Sequence, residues 1–376
     1  VRGRLFGGPL QISRIIQYNI TLMKRTGINR ASLEAYFKGL FRRPRLREFR
    51  ALGRGVHGRG FLVTLDTEEG EKTYVLKDIA PGGLGHDYPS DRAAVLLLAL
   101  NTYGRLPRHV RAVEVLSLQG DGTLRAVGGG KDYFLLMQKA EGTTYFKDLE
   151  ELSGKKSLDR EDREKVRVMA GYLKKIHSRK KKSRALYLRK LRDIIGHGEC
   201  LMGVFDTYPR GVLSYGKMAD MEKRCIDWRA RLKDRHSRLS QVHGDFHPGN
   251  IWFTRGTLSE KSLRLLDRSR GPWGEPADDL TALTINYIFY SIKHFNALEG
   301  PYAEALRLFF SDYISMTGDE EVLEVLAPFY AFRGAVVANP VFYPELTLRQ
   351  RRLIFGFVMR VLEVRRFVPE RAQEYI

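Results

Sequence analysis

His243-Gly244-Asp245-Phe246-His247-Pro248-Gly249-Asn250 is followed by the apolar run Ile251-Trp252-Phe253 and later by Leu265-Leu266-Asp267. Taken singly these are turn residues: His-Gly-Asp opens a turn and Asn250 caps one. Their spacing says more. An Asp, an Asn five residues on and a second Asp 22 residues after the first suit one divalent-metal and nucleotide site. Phosphate chemistry asks a protein mainly to position groups and neutralise charge. One carboxylate orients an attacking hydroxyl and accepts its proton. A carboxylate plus an amide oxygen hold hard magnesium ions against phosphates.

Working outward, residues 47–78 alternate as strands at Phe61–Leu65 and Thr73–Lys77, with Glu69-Gly70-Glu71 as the turn between them. A helix is predicted from Ser90 to about Tyr103, and strands near Arg111–Leu118 and Tyr133–Met137. Beyond residue 140 the pattern turns helical. Val166, Met169, Leu173 and Ile176 form the stripe of an amphipathic helix over 161–177, and residues 217–235 and most of 276–367 read the same way. Ahead of the strands, Ile12, Ile16, Asn19 and Met23 share one face of a helix over 9–25, and a second helix starts near Asn29 or Ser32 and ends before Pro44. The expectation is an α+β chain: a basic helical extension (1–50), a small β-rich lobe (51–137) and a larger helical lobe (138–376).

Composition bounds the class. At 376 residues, 43% hydrophobic and 29% charged, the chain is a folded protein too long for one ordinary core. Two cysteines, Cys200 and Cys225, exclude a disulfide framework and a Cys-rich zinc module, and suit a reducing, cytoplasmic compartment. No run of 18 apolar residues exists, and the most apolar stretch, Leu280 to Phe295, is interrupted by Asn286 and Lys293 and reads as a core helix. The chain opens at Val1 rather than Met, which leaves room for residues upstream, a cleaved targeting segment among them. The net charge is +20. Residues 1–50 carry twelve Lys/Arg against two Glu, and residues 171–192 carry ten and no acid, so these two segments hold the whole excess. Such a balance favours anionic partners.

The motif from His243 to Asn250, with Leu266-Asp267 and Pro276-Ala277-Asp278-Asp279-Leu280, resembles the aminoglycoside phosphotransferase and choline kinase-like group of the protein-kinase fold, over roughly residues 50–340. The resemblance implies a bilobal fold and an ATP- and Mg2+-dependent kinase with an alcohol group as acceptor. It implies Asp245 as catalytic base, Asn250 and Asp267 as magnesium ligands, and Asp279 as a buried carboxylate bracing the catalytic loop, with His243 beneath that loop and His247 beside it. Lys77, on its strand, would touch the α- and β-phosphates, and the glycines of Gly53-Arg54-Gly55-Val56-His57-Gly58-Arg59-Gly60 would cradle phosphates, with charge from Arg54 or Arg59. Because this loop lies between two strands, a Rossmann site is disfavoured. Met137-Gln138-Lys139-Ala140 would be the hinge, with Met137 lining the adenine pocket and the backbone through Lys139 facing the base. The chain departs from the family at one point: no Glu occurs between Lys72 and Val113 to pair with Lys77. Asp91 is the nearest match and Asp87 the second, and Asp is one methylene shorter.

The acceptor is named less well. Lys180, Lys181, Lys182 and Arg184 form a candidate cradle for an anionic acceptor, joined by Arg268, while Arg268 and Arg270 have Glu275 and Asp278 as alternative partners. An aminoglycoside is a polycation, and a segment without acid from Gly171 to Arg192 does not suit it. A phosphosugar, an anionic glycolipid or an RNA hydroxyl suits the charge better. RNA recognition would draw on the basic segments with Tyr187, Tyr36, Phe37, Phe41 and Phe49. The 9–25 helix, apolar on one face and cationic at its end, suits peripheral contact with a membrane surface. No partner protein is inferred. A non-enzymatic kinase-like binding protein is the remaining alternative, resting on the missing Glu.

Overall fold

Six antiparallel strands frame the first of two units: β1 (Arg45–Arg54), β2 (Arg59–Thr67), β3 (Gly70–Lys77), β4 (Ala112–Leu118), β5 (Leu124–Ala126) and β6 (Asp132–Gln138), in the order β1-β2-β3-β6-β4-β5. The computed structural model describes residues 28–55, 58–80, 89–127, 132–268 and 270–376. The 9–25 helix, Val56 and His57 of the glycine loop, and Asp87 lie outside the described residues. The first unit runs to Pro81 and includes Tyr88–Asn101 and Arg111–Lys139; the second holds Thr102–Val110 and Ala140–Ile376.

Alternation in the strands builds the first core. Phe61, Val63 and Leu65 of β2 share one face by their period of two, and they cluster with Leu76, Leu116, Leu118, Phe134 and Leu136. Helix α1 (Arg30–Lys38) packs on this cluster through Leu33 and Phe37. Its first turn is capped by Asn29, whose Oδ1 accepts from Ser32 N at 2.9 Å. This corrects the expected boundary at residue 50. Residues 45–50 are the start of edge strand β1, and Leu33 is fully buried, because its apolar surface is taken up by the sheet. Helix α2 (Pro89–Thr102) completes the unit, with Asp91 in its first turn.

The glycine-rich segment is the β1–β2 hairpin, closed by Gly55 N donating to Gly58 O at 2.8 Å. A Cβ on Gly58 would stand 1.9 Å from Asp78 O, so this position admits glycine alone.

The second unit is helical: α3 (Tyr145–Leu152), α4 (Arg160–His177), α5 (Arg184–Gly196), α6 (Leu201–Asp206), α7 (Tyr215–Leu232), α8 (Pro276–Phe295), α9 (Gly300–Thr317), α10 (Ala327–Val337) and α11 (Leu348–Glu363). Helix α8 is buried without interruption from Pro276 to Ile292, as an apolar helix ringed by others should be. Two small ladders carry the site: β10 (Leu263–Leu265), β9 (Ile251–Phe253) and β7 (Thr143–Thr144) in that order, and β8 (Ser240–Gln241) with β11 (Trp273–Gly274). Among the described residues no helix is long and apolar enough to cross a membrane.

If α1 is part of the sheet's core, Leu33→Ala lowers unfolding stability by about 2–5 kcal/mol. A denaturation midpoint equal to wild type would show instead that the helix is an independent appendage.

Candidate active site

The turn from His243 to Asn250 is held by a carboxylate beneath it. Asp279, fully buried in the first turn of α8, accepts from His243 N and Gly244 N, each at 2.7 Å. His177 Nε2 lies 3.0 Å from the same carboxylate, and His177 Nδ1 lies 2.8 Å from the Tyr313 hydroxyl. Burial alone would raise the pKa of Asp279; the His177 contact, then His243, overcome it and leave the carboxyl below its ordinary value. Gly244 adopts φ +88, a left-handed conformation that a side chain resists.

Asp245 projects from this turn between two guanidiniums. Its Oδ1 meets Arg333 Nη1 at 2.5 Å, and its Oδ2 lies 4.0 Å from Arg270 Nη2 and 3.9 Å from His247 Nε2. Arg333 also donates to Gly244 O at 3.1 Å and Asp278 Oδ1 at 2.7 Å. Asp278 in turn pairs with Lys190 at 2.5 Å. Burial works to raise the Asp245 carboxyl; Arg270, then Arg333 and His247, outweigh it and hold the group well below the carboxylate range. Asp245 is therefore an ionised acceptor at neutral pH. His243 is buried beneath the turn, edge-on to Phe246, and burial pushes its pKa down. His247 stands beside the turn, its Nδ1 accepting from Gly249 N at 3.1 Å.

Asn250 and Asp267 flank the same end of the β9–β10 ladder. Ile251 pairs with Leu265, and Leu266 N donates to Asn250 O at 3.0 Å, which makes Asp267 the next residue past the paired end. The Asn250 amide nitrogen donates to Asp245 O at 3.0 Å, so its oxygen is the end left for a cation. Asp267 sits at φ +55, a conformation non-glycine residues seldom adopt and functional sites often impose. Among the described residues no group of three or more His, Cys, Asp or Glu is arranged to hold a metal. A carboxylate and an amide oxygen are two hard donors, which fits a magnesium ion that takes its remaining ligands from phosphate and water.

In the first unit, Lys77 ends β3, opposite Gly60 on β2 and Leu135 on β6, so it shares a sheet end with the glycine hairpin. Gly53 lies in β1, and Gly55 and Gly58 close the hairpin. Arg59 is engaged by buried Asp78, which accepts from its backbone N at 2.7 Å and its Nε at 2.8 Å, so its charge is matched locally rather than open to phosphate. Met137 is a buried strand residue between Val75 and Ala112, and Lys139 is exposed at the unit's last position.

The expected acceptor cradle divides. Arg268 is a correction: it is fully buried, and its guanidinium donates to the carbonyls of Val242, Pro272 and Thr102. It ties backbone together and cannot meet a substrate. Residues 179–181 pair with residues 239–241, just before the His243–Asn250 turn. Lys180 Nζ is 2.8 Å from Ser240 Oγ, and Lys181 lies over the Trp273 ring at 5.1 Å. Lys182 is exposed, and Arg184 lies 4.0 Å from Asp234. The alternative pairing of Arg268 and Arg270 with Glu275 and Asp278 gives way too: Glu275 is taken by Arg238 at 2.7 Å and Asp278 by Arg333 and Lys190. Arg333 belongs to no motif of the sequence. Its signal is there: it is the only charged residue between Glu324 and Glu345.

Comparison with known proteins agrees with this architecture. Residues 48–259 match the model of the phosphotransferase enzyme family, more than half of the chain, and the chain belongs to that family. No curated protein sequence matches it. Among solved structures, an amicoumacin kinase in complex with AMP-PNP, Ca2+ and Ami aligns with a TM-score of 0.53 at 14% identity, covering 92% of this chain and 98% of that one. A Plasmodium vivax ethanolamine kinase aligns at 0.47 and 13% identity, over 100% and 93% of the two chains. An aminoglycoside phosphotransferase from Streptomyces rimosus aligns at 0.46 and 12%, over 76% and 92%. The first likeness identifies the fold as the protein-kinase-like fold of such phosphotransferases.

Arg333→Met leaves two buried carboxylates short of a partner and costs about 3–5 kcal/mol at neutral pH. Asp245 has a depressed folded-state pKa, so its contribution is complete above the unfolded value near 4 and is lost as pH falls through the folded value. The difference between variant and wild type therefore shrinks towards acid, which urea titrations across pH 3–7 would measure. A pH-independent difference would remove Asp245 from the explanation.

Proposed function

We propose that the protein transfers the γ-phosphate of ATP, with Mg2+, to a hydroxyl of a small or glycan-like, anionic acceptor. The observation that carries the reading is the joining of Asp245, Asn250 and Asp267 by the catalytic turn and one hairpin, braced from below by Asp279. Membership of the phosphotransferase family supports the reaction class.

In this reading Asp245 Oδ2 accepts a hydrogen bond from the acceptor hydroxyl. The new O–P bond forms as the bond from the γ-phosphorus to the β,γ-bridging oxygen breaks. The hydroxyl proton passes towards Asp245, and ADP leaves. A carboxyl held this far down is a weak base, so Asp245 chiefly orients the hydroxyl and takes its proton late, as a loose phosphoryl transition state permits. Asn250 and Asp267 would hold magnesium, which when bound neutralises charge developing on the phosphates. In the same reading Lys77 and the hairpin of Gly53, Gly55 and Gly58 serve the phosphates, Met137 and Lys139 the adenine end, and Asp91 supports Lys77.

Two variants separate the roles. Asp245→Asn lowers turnover by on the order of 1000-fold or more while nucleotide affinity stays within a few-fold. Asp267→Asn loses both magnesium-dependent nucleotide binding and turnover. Transfer of labelled γ-phosphate that persists in Asp267→Asn, or in excess chelator, would sink the metal assignment.

A further inference from the structure

Arg270 acts on the His243–Asn250 turn through its charge, without a hydrogen bond to it. Its Nε and Nη1 are buried and have no hydrogen-bond partner among the described residues. Nη2 lies 4.0 Å from Asp245 Oδ2, outside hydrogen-bond range. Its neighbour Arg333 gives Nη1 and Nη2 to Asp245, Gly244 O and Asp278, and only its Nε lacks a partner among the described residues. Both guanidiniums rest on one ring, 5.0 and 4.7 Å from the Phe332 centroid, which fixes their positions. Charge is not what Arg270 lacks: burial opposes its protonated form, and Asp245, Cys200, Glu199 and Asp278 outweigh that. What it lacks is acceptors. A guanidinium carries five N–H donors in a planar fork, and leaving them dry is far costlier than pairing them. A two-oxygen anion is the ligand that satisfies such a fork.

We propose that Arg270 is the anion subsite for the acceptor, its fork taking a carboxylate or phosphate group of the molecule whose hydroxyl lies against Asp245 Oδ2. This deepens the proposed function and rests on it. The 4.0 Å between Nη2 and Oδ2 sets the substrate class. Hydroxyl and oxyanion belong to one small molecule and stand on the order of 3–6 Å apart, once a hydrogen bond is allowed at each end. A hydroxy acid or a sugar phosphate has that spacing. Selectivity for an anion then comes from a buried fork beside the reacting hydroxyl, rather than from Lys180, Lys181, Lys182 and Arg184.

The test uses the full chain without nucleotide. Thermal midpoints are compared in inorganic phosphate, in D-glycerate and in glycerol, each against chloride at equal ionic strength. Wild type should gain about 2–4 °C with phosphate or glycerate and nothing with glycerol. The anion giving the larger gain tells a phosphate ester from a carboxylate. Arg270→Gln should abolish the gain, with anion affinity down on the order of 100-fold. Arg270→Lys, which keeps the charge without the fork, should retain only part of it and serves if the Gln variant does not fold. No gain in wild type, or an equal gain in Arg270→Gln, overturns the proposal. A transfer assay on metabolites split by anion exchange adds a second readout: label on the retained pool supports the subsite, and label confined to the unretained pool overturns it. Failure of the phosphotransfer reading looks different, because anion binding at Arg270 would then persist with no Asp245-dependent label anywhere.

Discussion

A carboxylate with no access to water fixes the geometry of the His243–Asn250 turn. Asp279 takes two backbone N–H groups and an imidazole, all at hydrogen-bond distance. Bonds to an ionised acceptor are shorter and stronger than neutral ones, which offsets the cost of burying the charge. Its position in the first turn of α8 adds the favourable end of the helix dipole. The adjacent residue, Asp278, acts on the same turn by a different route. Through Arg333 it reaches the Asp245 side chain, whereas Asp279 holds the backbone that carries that side chain. Two successive acids at the start of one buried helix thus set both the main chain of the turn and the Asp245 side chain.

The short ladders do the remaining alignment. Pairing of β9 with β10 joins Asn250 to the residue before Asp267, so the two candidate metal ligands cannot drift apart without breaking a strand pair. Arg268 then turns inward and gathers the carbonyls of three separated segments, which explains how an irregular stretch keeps buried backbone oxygens satisfied. Arg270, two residues on, returns towards Asp245. Four successive positions, Asp267 to Arg270, therefore contribute a candidate site carboxylate, a structural cation at Arg268 and a second cation beside Asp245.

Those three roles show what was legible in the sequence and what was not. The placing of Asn250 and Asp267 at one hairpin end follows local spacing, which a linear pattern records. The strands Phe61–Leu65 and Thr73–Lys77 and the helix over 161–177 could be read because apolar periodicity is also local. Arg268 could not be assigned, since its three carbonyl partners lie up to 166 residues away. Arg333 lies 88 residues from Asp245, and only its isolation in an apolar helix marks it. The boundary at residue 50 failed for a related reason. The basic composition of the first 50 residues hid the fact that Leu33, Phe37 and Leu46 face the sheet's core.

The charge excess reads differently once partners are known. Of the ten cations in residues 171–192, Lys175 meets Glu260 at 2.6 Å, Lys190 meets Asp278 at 2.5 Å and Arg189 meets Asp193 at 3.2 Å, while Lys180 and Lys181 rest on Ser240 and Trp273. A segment that is uniformly basic in sequence is therefore no uniform surface. Exposed charges such as Lys182 and Arg184 act through water and salt, which screen them beyond about 8 Å. They raise encounter rates with any anion and discriminate little among anions. The charges around Asp245 are buried, where screening is weak and geometry decides which partner is accepted. Net charge accordingly describes what the protein attracts, and the proposed subsite at Arg270 describes what it would hold in place.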